Sequence, residues 1–194
     1  MCRVIKPGAV LRVFRARDGR EVVLRALRWE DLDDMLDLIN SLIEERAYIL
    51  MEEKVSRWKE AEWLGRALAR MENGDAVYLV AEVGGRVVAG AELSRRSELP
   101  CWRHVADIVV MVRRGYRRIG IGTELVKTLI DLARERGFKL IHFPVFERNV
   151  AARRLYSKLG FREVGRIPKG FYRDGEFMDE ILMAMELPGP GDQA

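Results

Sequence analysis

Only two cysteines and two histidines occur among the 194 residues, and Cys2 and Cys101 lie far apart in the chain. Two such thiols make no disulfide framework, and no Cys/His cluster has the spacing of a metal site, so no metal is expected. A histidine-based triad or zinc centre has little to draw on. Long apolar runs are lacking as well: none approaches the ~20 residues of a membrane span. The charged N-terminus has no signal-peptide core. Neither sign of charge dominates, with 34 Lys and Arg against 30 Asp and Glu and a net charge of +4. The signs interleave along the chain, unlike the basic stripe of a nucleic-acid binder. These absences predict a cytoplasmic protein that takes neither a membrane nor a nucleic acid as partner.

What is present is an ordinary globular composition, 48% hydrophobic and 33% charged, in a length that suits one well-buried domain. Leu11–Arg17 and Glu21–Leu27 read as strands turned at Asp18-Gly19. A helix follows from Arg28, with Trp29, Leu32, Met35, Leu36, Ile39, Leu42 and Ile43 on one face. A second helix covers Ser56–Met71 and stops at Asn73-Gly74. Ala76–Val83 and Arg86–Arg95 make another hairpin, turned at Gly84-Gly85. Val105–Val112 is a strand, Thr123–Arg136 a helix, and Lys139–Phe146 a strand in which Pro144 predicts a bulge or a splay. Asn149 opens a helix ending near Gly160, and Phe161–Arg166 and Phe177–Leu187 are the last strands, turned at Asp174-Gly175. Residues 188–194 read as a flexible tail. The pattern predicts a mixed sheet in an α/β (α+β) layer structure.

The chain is organised around Arg113–Leu125, where a buried strand runs into a loop with glycines at 120 and 122 and then into a helix. Bare N–H groups at the positive end of a helix dipole form an anion site, most naturally for phosphate. The local basic excess, Arg113, Arg114, Arg117 and Arg118, suits a small polyanion. A Walker-type loop would need Lys before Thr123, where Gly122 stands. A dinucleotide fingerprint would need a third glycine, and Leu125 stands there instead. What remains is Arg117-x-x-Gly120-x-Gly122 directly after a strand. With Asn149, Ala152, Leu155-Tyr156 and Leu159-Gly160-Phe161 downstream, the sequence resembles the GNAT superfamily of acetyl-CoA-dependent N-acetyltransferases.

The resemblance implies a mostly antiparallel central sheet with a splayed parallel strand pair and helices on both faces. It places the acetyltransferase domain at residues 21–187, with residues 1–20 as an N-terminal extension carrying an extra hairpin strand. It assigns acetyl-CoA to the strand end Val110, Met111 and Val112, to the loop residues Arg117, Arg118, Ile119, Gly120, Ile121, Gly122 and Thr123, and to Asn149, Ala152 and Tyr156. Glycines at 120 and 122 let a phosphate approach the backbone without a Cβ in the way. The resemblance makes Tyr156 the acid that protonates the departing thiolate, a role a phenol can fill at neutral pH. No motif cysteine is available to carry the acetyl group, so direct attack by the amine is favoured over a covalent intermediate. For the base, Asp107 and Glu92 compete, each also readable as a structural carboxylate, with His104 and Glu147 as outside candidates. The resemblance implies a primary amine of a small molecule or a peptide as acceptor, selected by Tyr48–Glu53 and the Tyr172–Phe177 hairpin; Glu44, Glu45, Glu52 and Glu53, near the first of these, read as a solvated face before they read as a lure for a cation. Many family members form homodimers through their last strands. The rival reading from another class is a non-catalytic CoA-binding regulator on the same fold.

Overall fold

The computed structural model describes residues 4–188; Cys2 and nearly all of the expected tail lie outside the described residues. Eight strands, mostly antiparallel with one parallel pair, and four helices make it a mixed α/β protein. The chain forms two compact units. One comprises the chain through Ser94 with Val109–Ile130; the other comprises Arg95–Ile108 with the chain from Asp131.

The first unit is an antiparallel meander in the order β1 (Val10–Arg15), β2 (Glu21–Ala26), β3 (Ala76–Val83), β4 (Arg86–Arg95). The hairpin glycines predicted at 19 and at 84 and 85 all take positive φ; Gly84-Gly85 make a two-residue turn between Val83 and Arg86, and Gly19 sits in a longer turn closed by the Ala16 N–H on the Arg20 carbonyl. Between β2 and β3 lie α1 (Leu32–Glu44), entered through a 3-10 turn, and α2 (Arg57–Glu72). Asp33 and Asp34 stand at the start of α1 and complement its dipole. Ser56 caps α2 by accepting the Lys59 N–H. Leu32, Met35, Leu38 and Leu42 of α1 and Leu64, Ala67 and Met71 of α2 pack into one core with Ala76, Tyr78 and Val80 of β3. Arg25 crosses this core, donating to both Asp31 oxygens at 2.7 Å and to Glu82 at 2.8 Å.

β5 (Val105–Val112) and α3 (Ile121–Glu135) each contribute residues to both units. The second unit continues with β6 (Leu140–Phe146), α4 (Val150–Lys158), β7 (Arg162–Arg173) and β8 (Glu176–Glu186), its strands ordered β5-β6-β8-β7. The parallel ladder pairs Val105 with Leu140 and Ala106 with Ile141. Pro144 lies three residues beyond that ladder, and its strand pairs with β8 from Leu140 to Phe146 without a register shift, so no bulge forms against β8.

β7 is twice as long as its apolar pattern suggests. It runs past Arg166 to Arg173 because the strand-breaking Pro168 and Gly170 are taken up in a bulge, where the register shifts between Ile167 and Phe171. Lys169 adopts φ 57° at the bulge and donates its N–H to Asp179 Oδ1 at 2.9 Å. Gly170 is required by space: a Cβ there would come within 2.6 Å of the Glu180 side chain. β7 is the last strand in the order, and it leaves Val164, Ile167 and Tyr172 exposed.

Candidate active site

The exposed face of the first unit begins at the C-terminal half of β5. Val109 is 48% exposed and Val110, Met111 and Val112 are half-buried, although the strand's first half is largely buried. The Arg113 N–H still donates to the Val88 carbonyl at 2.9 Å, after which the chain turns with the Tyr116 N–H on the Arg113 carbonyl at 3.1 Å. Arg118 and Gly120 take φ 63° and φ 106°, which turns the loop back towards the helix. The first bond of α3 runs from the Glu124 N–H to the Gly120 carbonyl at 3.0 Å. The N–H groups of Ile121, Gly122 and Thr123 therefore precede the helical ladder and point out of its positive end. α3 thus starts two residues earlier than its apolar pattern suggests, and Gly122 is its second residue.

Two of the four arginines around this loop, Arg113 and Arg117, are held internally, while Arg114 and Arg118 are exposed. Arg117 donates through Nε to the Val112 carbonyl at 2.8 Å and forms an ion pair with Glu45. Arg113 pairs with Asp37 at 2.7 Å, and Arg86 pairs with the same carboxylate. Burial pushes the Asp37 carboxyl up, but the two guanidiniums outweigh it and hold its pKa below the usual range. A cleft of about 390 Å³ lies beside the loop, lined by Ser41, Glu44, Glu45, Arg113 and Arg114. Of the acidic residues expected to attract an amine, Glu44 pairs with Lys54 at 2.6 Å and Glu45 with Arg117, while Glu52 and Glu53 are exposed. Tyr48, Leu50 and Met51 are also exposed.

Glu92, on β4 opposite Tyr78 of β3, sits in a small polar cluster. Its Oε1 accepts from the Tyr78 hydroxyl at 3.1 Å and from Arg70 at 3.3 Å, and Arg70 also donates to the Tyr78 oxygen at 2.8 Å. Burial, and then the Glu92 charge, pushes the Tyr78 phenol up to about 12.

In the second unit Asp107 accepts from Arg96 Nη1 at 3.0 Å, and the same nitrogen approaches His142 Nδ1 at 2.8 Å. The Arg96 guanidinium also lies over the Trp102 ring. Sequence reasoning passed over His142. The signal that would reveal it is the register: Ala106 pairs with Ile141 in a parallel ladder, so the next residue on each strand, Asp107 and His142, shares a face. Burial, reinforced by the Arg96 charge, lowers the His142 pKa against the opposing pull of Asp107 and Glu180. The imidazole is therefore neutral at pH 7. His104 contributes its carbonyl, which accepts the Lys139 and Leu140 N–H groups, while its ring is exposed. Glu147 pairs with Arg166 at 2.6 Å.

On α4, Asn149 caps the helix by accepting the Ala152 N–H at 3.2 Å. Tyr156 lies two turns along, 7% exposed, edge-on to Phe143 and Phe161 at ring separations of 4.6 and 5.6 Å. Burial pushes its phenol up to about 12, so it carries a proton throughout the neutral range.

Residues 35–161 match the model of the acetyltransferase (GNAT) family. An N-alpha-acetyltransferase of Sulfurisphaera tokodaii is 30% identical over 183 residues, covering 89% of this chain and 97% of that one. Among solved structures, a ribosomal-protein-alanine N-acetyltransferase of Brucella melitensis superposes with a TM-score of 0.77 at 29% identity, over 84% of this chain and 99% of that one. A phosphinothricin acetyltransferase of Sinorhizobium meliloti, solved in complex with acetyl-CoA, has the same fold, with a TM-score of 0.78 at 22% identity over 89% and 91% of the two chains.

Proposed function

The chain belongs to the GNAT family of acetyltransferases, and on that premise we propose that it transfers acetyl from acetyl-CoA directly to a primary amine in the cytoplasm. One observation carries this reading: β5 runs into a glycine loop whose helix opens with three N–H groups ahead of its first internal bond. Those donors, with Gly120 and Gly122 removing the nearest side-chain bulk, fit the pyrophosphate of the co-substrate. Arg117, Arg118 and Ile119 complete that cradle, and Val110, Met111 and Val112 offer strand backbone to the pantetheine arm and the thioester carbonyl. Asn149 and Ala152 serve the same ligand from α4.

The reaction balances without a covalent enzyme intermediate. The neutral amine attacks the thioester carbonyl carbon, the C–N bond forms and the C–S bond breaks. The amine gives up a proton to a base, and the departing thiolate takes one from Tyr156. Asp107 is the favoured base over Glu92. Glu92 Oε1 accepts from both Arg70 and Tyr78, an arrangement suited to a structural carboxylate. Asp107 shares Arg96 with a neutral imidazole that can receive a proton. The first acceptor to test is a peptide α-amine, in line with the Sulfurisphaera relative and the Brucella neighbour.

The test is transfer of isotope-labelled acetyl from acetyl-CoA to peptides with free N-termini and to a panel of amino acids and polyamines. Labelled peptide is expected. Label on a small amine alone would move the acceptor class, and acetyl-CoA binding without transfer to any amine would replace the enzyme by a CoA-binding regulator.

A further inference from the structure

The loop that would hold the co-substrate phosphates is itself held by the β1–β2 hairpin. Its turn reaches the loop at two carbonyls. The Arg17 N–H donates to the Ile119 carbonyl at 2.9 Å, and the Arg20 guanidinium donates through Nη2 to the Gly115 carbonyl at 3.0 Å. The same guanidinium lies 4.3 Å from the centre of the Tyr116 ring. Asp18, in the turn, orients it through an Nε bond at 2.7 Å. Further along the hairpin, Arg12 meets Glu124, in the first turn of α3, at 2.5 Å.

A peptide unit is planar and trans, so fixing the direction of a carbonyl also fixes the opposed N–H of the next residue. Ile119 and Gly120 share one such plane. The donor from Arg17 therefore aims the Gly120 N–H away from the hairpin, on the side where an anion would sit. Gly115 and Tyr116 share another, and there the aimed N–H closes the turn on Arg113. A loop with three residues at positive φ, Gly115, Arg118 and Gly120, has many conformations to lose when it closes on a ligand. Outside contacts that select one of them reduce the ordering cost of binding. The hairpin lies outside residues 35–161, the segment that matches the family model.

We infer that the Arg17–Arg20 turn is a built-in brace for the phosphate loop, with Arg20 a positioning residue for acetyl-CoA. This rests on reading the loop as the acetyl-CoA phosphate site. Arg20 does not itself contact the co-substrate. It acts at the Gly115–Tyr116 peptide, fixing the turn at the base of the loop, while the Arg17 N–H sets the Ile119–Gly120 peptide whose N–H is left for the anion.

The experiment compares wild type with Arg20→Met, which keeps an aliphatic stem over Tyr116 but removes the guanidinium. Val13→Thr, at an exposed position of β1, is the control elsewhere on the same hairpin. Acetyl-CoA affinity is read by calorimetry, amide exchange of residues 115–123 by mass spectrometry, and KM against kcat by steady-state kinetics. Arg20→Met is expected to weaken acetyl-CoA binding and raise its KM about 3- to 10-fold, with kcat within twofold and faster exchange in the loop; Val13→Thr should change none of these. A folded Arg20→Met with wild-type affinity and wild-type loop exchange overturns the inference. If Arg20→Met fails to fold, Arg20→Lys, which keeps a cation over the ring, is read by the same measurements, and wild-type values for it overturn the inference equally. Wild-type protein that binds no acetyl-CoA at all would sink the underlying reading instead, and the two failures are thereby told apart.

Discussion

Burial pushes the Tyr156 phenol up to about 12, above the range in which an α-amine, with a pKa of ~8, becomes nucleophilic. The direction of the shift matters: a raised phenol pKa keeps the proton on the oxygen while the acceptor loses its own. Tyr156→Phe is expected to lower turnover at least several-fold with acetyl-CoA affinity within twofold, checked by steady-state kinetics and calorimetry. Unchanged turnover would remove the acid role. Any alkaline fall in rate below about pH 10 should persist in the variant, because it would not arise from Tyr156. His142 carries the opposite perturbation. Burial and then Arg96 lower its pKa, so the unfolded chain takes up the proton first and folding stability falls as pH drops below ~6.5. In Arg96→Leu one of the lowering causes is gone, and the His142 midpoint followed by NMR should move up. A midpoint that stays put or falls would show that Arg96 does not set it. That a histidine rather than a lone carboxylate stands beside Asp107 could not be read from the chain, since Arg96 and His142 are 46 residues apart. The ties of Glu92 to Arg70 and Tyr78 were hidden for the same reason.

At the scale of elements, the two loop glycines answer different needs. Gly120 sits at φ 106°, a conformation that side chains with a Cβ rarely adopt, although nothing lies within 4 Å of where that Cβ would be. Gly120→Ala should therefore cost stability through backbone strain, about 1–3 kcal/mol, and also weaken acetyl-CoA binding. Gly122 is absent from the positive-φ positions and lies in the first turn of α3. Gly122→Ala should weaken acetyl-CoA binding with the smaller loss of stability. Thermal melts beside calorimetry check the pair, and equal losses of stability in both variants would contradict the distinction. The elements most legible in the sequence were those with local punctuation: the glycine-turned hairpins, the Asn149 cap, and the loop before α3. β7 runs past Arg166, the expected end of its strand, through Pro168 and Gly170, residues that favour a break. Only the pairing with β8 shows that a strand resumes beyond them. Likewise Pro144 raised the expectation of a bulge or a splay; the ladder with β8 is unbroken, and the parallel ladder with β5 ends at Ile141, three residues before the proline.

At the scale of the whole molecule, the loop and α3's first turn belong to one compact unit, and α4 with Tyr156 and Asn149 to the other. Binding to the folded chain alone stabilises it by mass action, about 2.7 kcal/mol at a ligand concentration of 100 Kd. For a chain of this length that corresponds to a rise in Tm of roughly 5–11 °C. Acetyl-CoA is expected to produce such a saturable rise, read by scanning calorimetry, and a Tm that ignores the ligand would contradict the phosphate-loop reading. The irregular β7 has a consequence for how copies of the molecule meet one another. An exposed strand at the end of a sheet, bearing Val164, Ile167 and Tyr172, is a template on which further chains can stack. Pro168 offers no donor to such a stack. Lys169 sets a charge at the bulge, and the register shift between Ile167 and Phe171 interrupts the ladder there. The residues that hid the strand's length from its sequence are thus of the kind that discourages stacking along an open edge.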